Sequence, residues 1–91
     1  MPPQAPVQNH KLSYMKIHVY AALKDYFTPE FELAGEVRNT DELKVRLLAI
    51  NGKAEVILSA CRFAVEEGFI DNDFKLKEHD TVIIIPPSSG G

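Results

Sequence analysis

The chain has 91 residues, of which 45 % are hydrophobic and 25 % charged, and a formal net charge of −3. That length allows one domain, near the lower end of what buries a core without disulfides or metal, and leaves no room for a second. Net negative charge argues against nucleic acid as a partner, because phosphates would be repelled. No apolar run approaches the roughly eighteen residues that span a bilayer, which argues against a membrane.

Residues 1–14, MPPQAPVQNHKLSY, hold three prolines and little to bury, and read as a flexible arm. From Met15 the pattern alternates. Met15, Ile17, Val19 and Ala21 point one way and Lys16, His18 and Tyr20 the other, as in a strand with one buried face. A Thr28-Pro29 break then leads into a second strand with Phe31 and Leu33 in phase, ending near Gly35, and the two strands make a hairpin.

The stretch NTDELKVRLLAINGK carries helix start and stop signals. Asn39 or Thr40 caps the N-terminus, Asp41 and Glu42 sit where the macrodipole favours acids, and Asn51-Gly52 closes the end. Leu43, Leu47 and Ile50, widened by Leu48, form its apolar stripe. AEVILSA is ambiguous between a helical turn and a strand. CRFAVEEGF alternates again, with Cys61, Phe63 and Val65 opposite Arg62, Ala64 and Glu66, and turns at Gly68. A short strand follows around Phe69 and Ile70, and TVIII supplies the last one. The order implies an α+β domain over 15–85, one sheet with one main helix across one face. One face of the last strand, either Val82 and Ile84 or Ile83 and Ile85, is then left without cover.

Straight after that strand come Pro86, Pro87, Ser88, Ser89, Gly90 and Gly91, so 86–91 reads as an exposed tail with a stiff part and then a slim part. The prolines fix φ and shrink the ensemble to be ordered on insertion, and glycine has no Cβ to meet a tunnel wall. The ending IIIPPSSGG, with IHVYAALKDYF, the helix start TDEL and AVEEGFIDNDFKLKEHDTV, resembles the small subunits of molybdopterin synthase, which are ubiquitin-like sulfur carriers of the β-grasp fold. The chain departs from that family at Glu66, where Asn is common, and at His79-Asp80, where a Gly-Asp turn is usual. Histidine tolerates positive φ less readily than glycine, so a local difference in the turn is expected.

The resemblance implies a mixed sheet of four to five strands and a carrier that is not an enzyme on its own. An E1-like partner, using ATP and Mg, adenylates the Gly91 carboxyl, which is then converted to a thiocarboxylate with the help of a sulfur donor enzyme. The sulfur goes to a cyclic pyranopterin precursor inside the large subunit of a heterotetramer, building molybdopterin for the molybdenum cofactor. The carrier itself binds no cofactor and no metal. The family's partner surface maps onto Tyr20, Phe69 and Ile85, with Lys24 as a charged contact. Tail shape alone leaves open a carrier for thiamine or another sulfur metabolite, a ubiquitin-like protein modifier, or a binding module with an inert tail.

The remaining polar residues read as ordinary. Cys61 alternates with core positions and is read as buried rather than nucleophilic. A single cysteine also excludes an intramolecular disulfide and any CxxC motif, and with no secretory leader pattern it points to the cytoplasm. His10, His18 and His79 are too dispersed for a metal site. Glu66-Glu67 and Asp71–Asp73 form a solvated face, and no phosphate-cradling glycine loop or nucleophile elbow appears.

Overall fold

The computed structural model describes residues 14–87. Five strands, β1 (Tyr14–Val19), β2 (Glu30–Ala34), β3 (Arg62–Val65), β4 (Gly68–Ile70) and β5 (Thr81–Ile85), form one sheet in the order β2-β1-β5-β3-β4. β1 pairs antiparallel with β2 and parallel with β5, and β3 is antiparallel to both β5 and β4. Helix α1 (Thr40–Ile50) and the shorter α2 (Glu55–Ser59) lie between β2 and β3. A mixed sheet with the first and last strands parallel at its centre, crossed by one main helix, is the β-grasp layout.

The strands form close to where they were expected, except that β3 starts at Arg62 and leaves Cys61, read as its first buried residue, outside the strand and half-buried. The core falls on one side of the sheet. Met15, Ile17 and Val19 from β1, Leu33 from β2, Phe63 and Val65 from β3, and Val82 and Ile84 from β5 are buried against Leu43 and Leu47 of α1. The uncovered pair is therefore Ile83 and Ile85, both only half-buried. β1 stops two residues short of its sequence pattern. Ala21 is exposed with φ +53°, so the chain leaves the extended region there and enters a 3₁₀ turn over Ala21–Asp25 that buries Leu23 instead. Tyr14 belongs to β1 and pairs with Ala34.

Helix α1 begins at its cap. The Asn39 side chain accepts the Glu42 N–H at 2.9 Å, and the Glu42 carboxylate reaches back to accept the Arg38 N–H at 2.9 Å. A second asparagine, Asn72 in the β4–β5 connection, accepts from the Asp41 N–H and the Thr40 hydroxyl, tying the helix start to that loop. The C-terminal end falls at Asn51, where the sequence placed it. Asn51 is extended, its side chain accepts from Lys53 N–H and donates to Tyr26 C=O, and Gly52 opens a short 3₁₀ turn. Ile50 is 53 % exposed, and Ala54, fully buried, takes the place in the core that the 3.6-residue period had assigned to it. AEVILSA resolves as α2, anchored by Leu58.

Two residues before β5, His79 has φ +67°. The turn thus keeps the left-handed conformation a glycine would take, and histidine bears the strain.

Candidate functional site

The outer face of the sheet is assembled by strand register. On β5, Ile83 and Ile85 alternate with the buried Val82 and Ile84. Ile83 pairs with His18 of β1 on one side and with Ala64 of β3 on the other, and Ala64 in turn pairs with Phe69 of β4. One row across the sheet therefore reads His18, Ile83, Ala64, Phe69. In the next row Ile85 pairs with Arg62. Tyr20, just beyond β1, is still extended at φ −130° and ψ 162°, so it continues the alternation of Lys16 and His18 onto the same face beside Ile85. Tyr20 and Phe69 are about half exposed, at 47 % and 55 %.

These are large apolar groups on a sheet face that no helix among the described residues covers. A contiguous apolar patch is the kind of surface that can meet another molecule, whereas single exposed apolar residues are ordinary. Charge lines its two sides. At the β2 side His18 Nε2 stands 3.1 Å from the Glu30 carboxylate. At the β4 side the Arg62 guanidinium lies over the Phe69 ring, 3.8 Å from its centroid.

The patch runs directly into the tail. The Arg62–Ile85 pair is the last of the β3–β5 ladder, and Pro86, lacking an N–H, cannot extend it. Pro86 is half-buried and Pro87 exposed. The expectations for Ser88, Ser89, Gly90 and Gly91 fall outside the described residues.

Of the four residues assigned to a partner surface, Tyr20, Phe69 and Ile85 share this one face. Lys24 lies on the 3₁₀ turn after Tyr20, exposed, and makes no ion pair among the described residues. Sequence reading missed Ile83, left as one of two alternatives, and the placement of Arg62 and Ala64. Alternation puts both of these on the face opposite Phe63, but only the β3–β5 register shows that they flank the isoleucines.

Other candidates resolve as structural. Cys61 is half-buried at the end of α2, where its Sγ–H donates to the Ile57 carbonyl at 3.1 Å; burial raises its pKa, and Lys44 opposes this only in part. It is thus held as a neutral thiol. Asp71 accepts the Asp73 N–H within its own turn, and Asn72 caps α1. An open groove of about 490 Å³ lies at the start of α1, lined by Arg38, Asn39 and residues 72–76. The Asp41 and Glu42 N–H groups there are already bonded to the two asparagines, so they offer no free donors to a ligand.

Comparison with known proteins agrees with this geometry. The model of the ThiS family matches residues 18–91. A molybdopterin synthase sulfur carrier subunit from Chlamydomonas reinhardtii is 35 % identical over 63 residues, which cover 67 % of this chain and 75 % of that protein. Among solved structures, small archaeal modifier protein 1 from Methanosarcina acetivorans superposes with a TM-score of 0.72 at 19 % identity, covering 88 % of this chain and 98 % of that one. Subunits 1 and 2 of the Helicobacter pylori molybdopterin-converting factor form a solved complex in which one chain matches with a TM-score of 0.62 at 22 % identity, covering 86 % of this chain and 99 % of that one. The chain therefore belongs to the ThiS family, as a ubiquitin-like β-grasp protein homologous to the sulfur carrier subunits of molybdopterin synthase.

Proposed function

We propose that this chain is the sulfur carrier subunit of molybdopterin synthase, with the Gly91 carboxyl as the group that carries sulfur. The observation that carries the reading is the apolar patch in which Tyr20 and Phe69 flank Ile83 and Ile85 of β5, the strand that continues into Pro86-Pro87. It supplies a docking surface and a delivery arm in one continuous piece. The 35 % identity to a sulfur carrier subunit supports the same assignment.

A carboxylate is a poor electrophile, so activation comes first. An E1-like partner joins the Gly91 carboxylate to AMP, releasing pyrophosphate from Mg-bound ATP. Sulfur provided by a donor enzyme then displaces AMP to leave a thiocarboxylate, the nucleophile for the next step. The large subunit receives the tail and the pterin precursor, and two sulfurs need two loaded carriers. This chain presents its terminus and contributes no general acid or base. The single cysteine supports a cytoplasmic setting, and among the described residues no helix is long and apolar enough to cross a membrane.

The test is the intact mass of the protein after incubation with an adenylating enzyme, ATP and a sulfur donor, with a Gly91-deleted chain as control. A gain equal to sulfur replacing oxygen, absent from the control, is expected, followed by its loss when the large subunit and the pterin precursor are added. No gain with a demonstrably active enzyme refutes sulfur carriage. Gain without transfer to the pterin moves the function to another sulfur acceptor, and a mass shift equal to conjugation with a lysine-bearing protein moves it to a modifier.

A further inference from the structure

We propose that Arg62 is a specificity-determining contact on the docking face, where its guanidinium receives a carboxylate from the docked protein. The inference rests on the reading that this face binds a partner. Arg62 sits directly opposite Ile85, the last laddered residue before the tail, so whatever covers Ile85 also covers Arg62.

The guanidinium is stacked but unpaired. Its central carbon lies 3.8 Å from the centroid of the Phe69 ring, and Arg62 takes part in no ion pair and no side-chain hydrogen bond among the described residues. Stacking occupies a π face and leaves the N–H edge free. No acid among the described residues forms an ion pair with it, and Glu66, on the same face, lies four residues further along the chain, just past the other end of β3. Glu30 and Glu32 belong to β2, three strand spacings or about 14 Å away, and Glu30 is engaged by His18. Asp71, just past β4 on the Arg62 side, accepts the Asp73 N–H instead.

A partner that covers this apolar face must desolvate the guanidinium. A charge left buried and unpaired is strongly penalised, so the covering surface has to supply an acceptor. A carboxylate fits best. A planar fork already held over an aromatic ring is pre-organised for two parallel N–H···O bonds, and less side-chain freedom remains to be lost on binding. The partner surface is therefore apolar, with an Asp or Glu positioned beside the point where the tail enters.

The test is calorimetric titration of the full chain into the large subunit of molybdopterin synthase from the same organism, with Arg62→Leu and Arg62→Lys beside wild type. Leucine keeps an apolar cover on Phe69 and removes the fork, and thermal melts check that both variants fold. Arg62→Leu is expected to weaken Kd by about thirtyfold or more. Arg62→Lys should recover part of the loss, because an ammonium offers charge without bidentate geometry. Binding by Arg62→Leu equal to or tighter than wild type overturns the inference and leaves the stack as a shield for Phe69. A wild-type chain that does not bind the large subunit overturns the docking reading first, and the inference with it.

Discussion

His79→Gly is expected to stabilise the protein by about 0.5–1 kcal/mol. The turn before β5 holds His79 at φ +67°, a region that costs an L-residue about 1–2 kcal/mol, with histidine among the more tolerant types. The surrounding bonds fix that conformation regardless of the side chain. His79 N–H donates to the Tyr14 carbonyl at 3.1 Å, Asp80 N–H to the Lys77 carbonyl at 3.2 Å, and Lys77 N–H to the Asp80 carboxylate at 2.8 Å. The imidazole adds little. Its side chain is 70 % exposed and stands 3.7 Å from the Glu78 carboxylate, an exposed pair of the kind that contributes about 0–1 kcal/mol. Glycine relieves the left-handed strain and gives back about 0.5–1 kcal/mol in backbone entropy of the unfolded chain. At about 4–8 °C per kcal/mol for a domain of this size, Tm should rise by about 2–8 °C. Thermal and urea unfolding of His79→Gly measure this, with His79→Ala, which keeps the strain and loses the imidazole, as control. A glycine variant no more stable than the alanine variant, with an unchanged urea slope, would refute the strain.

Three further outcomes are expected. Leu47→Ala, at a fully buried position facing the sheet from α1, should cost about 2–5 kcal/mol in urea unfolding; a loss below about 1 kcal/mol would mean that the helix does not pack as described. Gly90→Ala should leave Tm unchanged and slow sulfur transfer at least about tenfold, because a methyl group is added where the proposed channel is narrow. Transfer at the wild-type rate would remove the narrow channel. For Cys61, burial raises the folded pKa above the ordinary value of 9.0. The unfolded thiol therefore loses its proton first, so its contribution to stability is complete below that value and is lost as pH rises through the folded pKa. Cys61→Val should flatten this alkaline part of the stability profile, and an identical slope in both proteins would place its origin elsewhere.

Much of the fold was legible because its signals are local. The alternation in Met15 to Val19 and in the TVIII stretch marks buried faces within a few residues, and Asn39 with Glu42 caps α1 through atoms three positions apart. Ala21 was misplaced because the strand pattern was carried past the end of β1, and Ile50, still within α1, because Ala54 takes its place in the core. A periodicity does not register that the φ of Ala21 has turned positive, or that Ala54 can fill the core from the next turn. The docking face was legible residue by residue but not as a unit. Tyr20, Phe69 and Ile85 came from a family resemblance, while Ile83 and Arg62 join them only through the pairing of β5 with β1 and β3, contacts far apart in sequence. Glycine in the family at the place of His79 pointed to a local change. The conformation instead persists, because hydrogen bonds to Tyr14 and Lys77 outweigh the preference of one residue.

Under the proposed function, strand β5 sets the point from which the tail delivers its end. Val82 and Ile84 lock the strand into the core, Ile83 and Ile85 face the docking side, and pairing ends at Ile85. From there the six residues 86–91 span at most about 22 Å, at about 3.3–3.6 Å each when fully extended. If the chain works as the carrier proposed above, the partner's reaction centre lies within that reach, and the two prolines, whose rings fix φ, restrict the first part of the tail. Deleting Ser88 tests this geometry. The deletion keeps Gly90-Gly91 and every residue of the docking face, and draws the reactive carbon back by about 3.5 Å. Binding to the large subunit should remain within about threefold of wild type, because no docking residue moves. Single-turnover sulfur transfer from a thiocarboxylated chain should fall by about a hundredfold or more, since a misplacement of even 1 Å at a reacting centre carries a penalty of that order. Transfer at the wild-type rate would show that the tail reaches its target with slack. The prolines would then be limiting the freedom of the unbound tail without setting its reach.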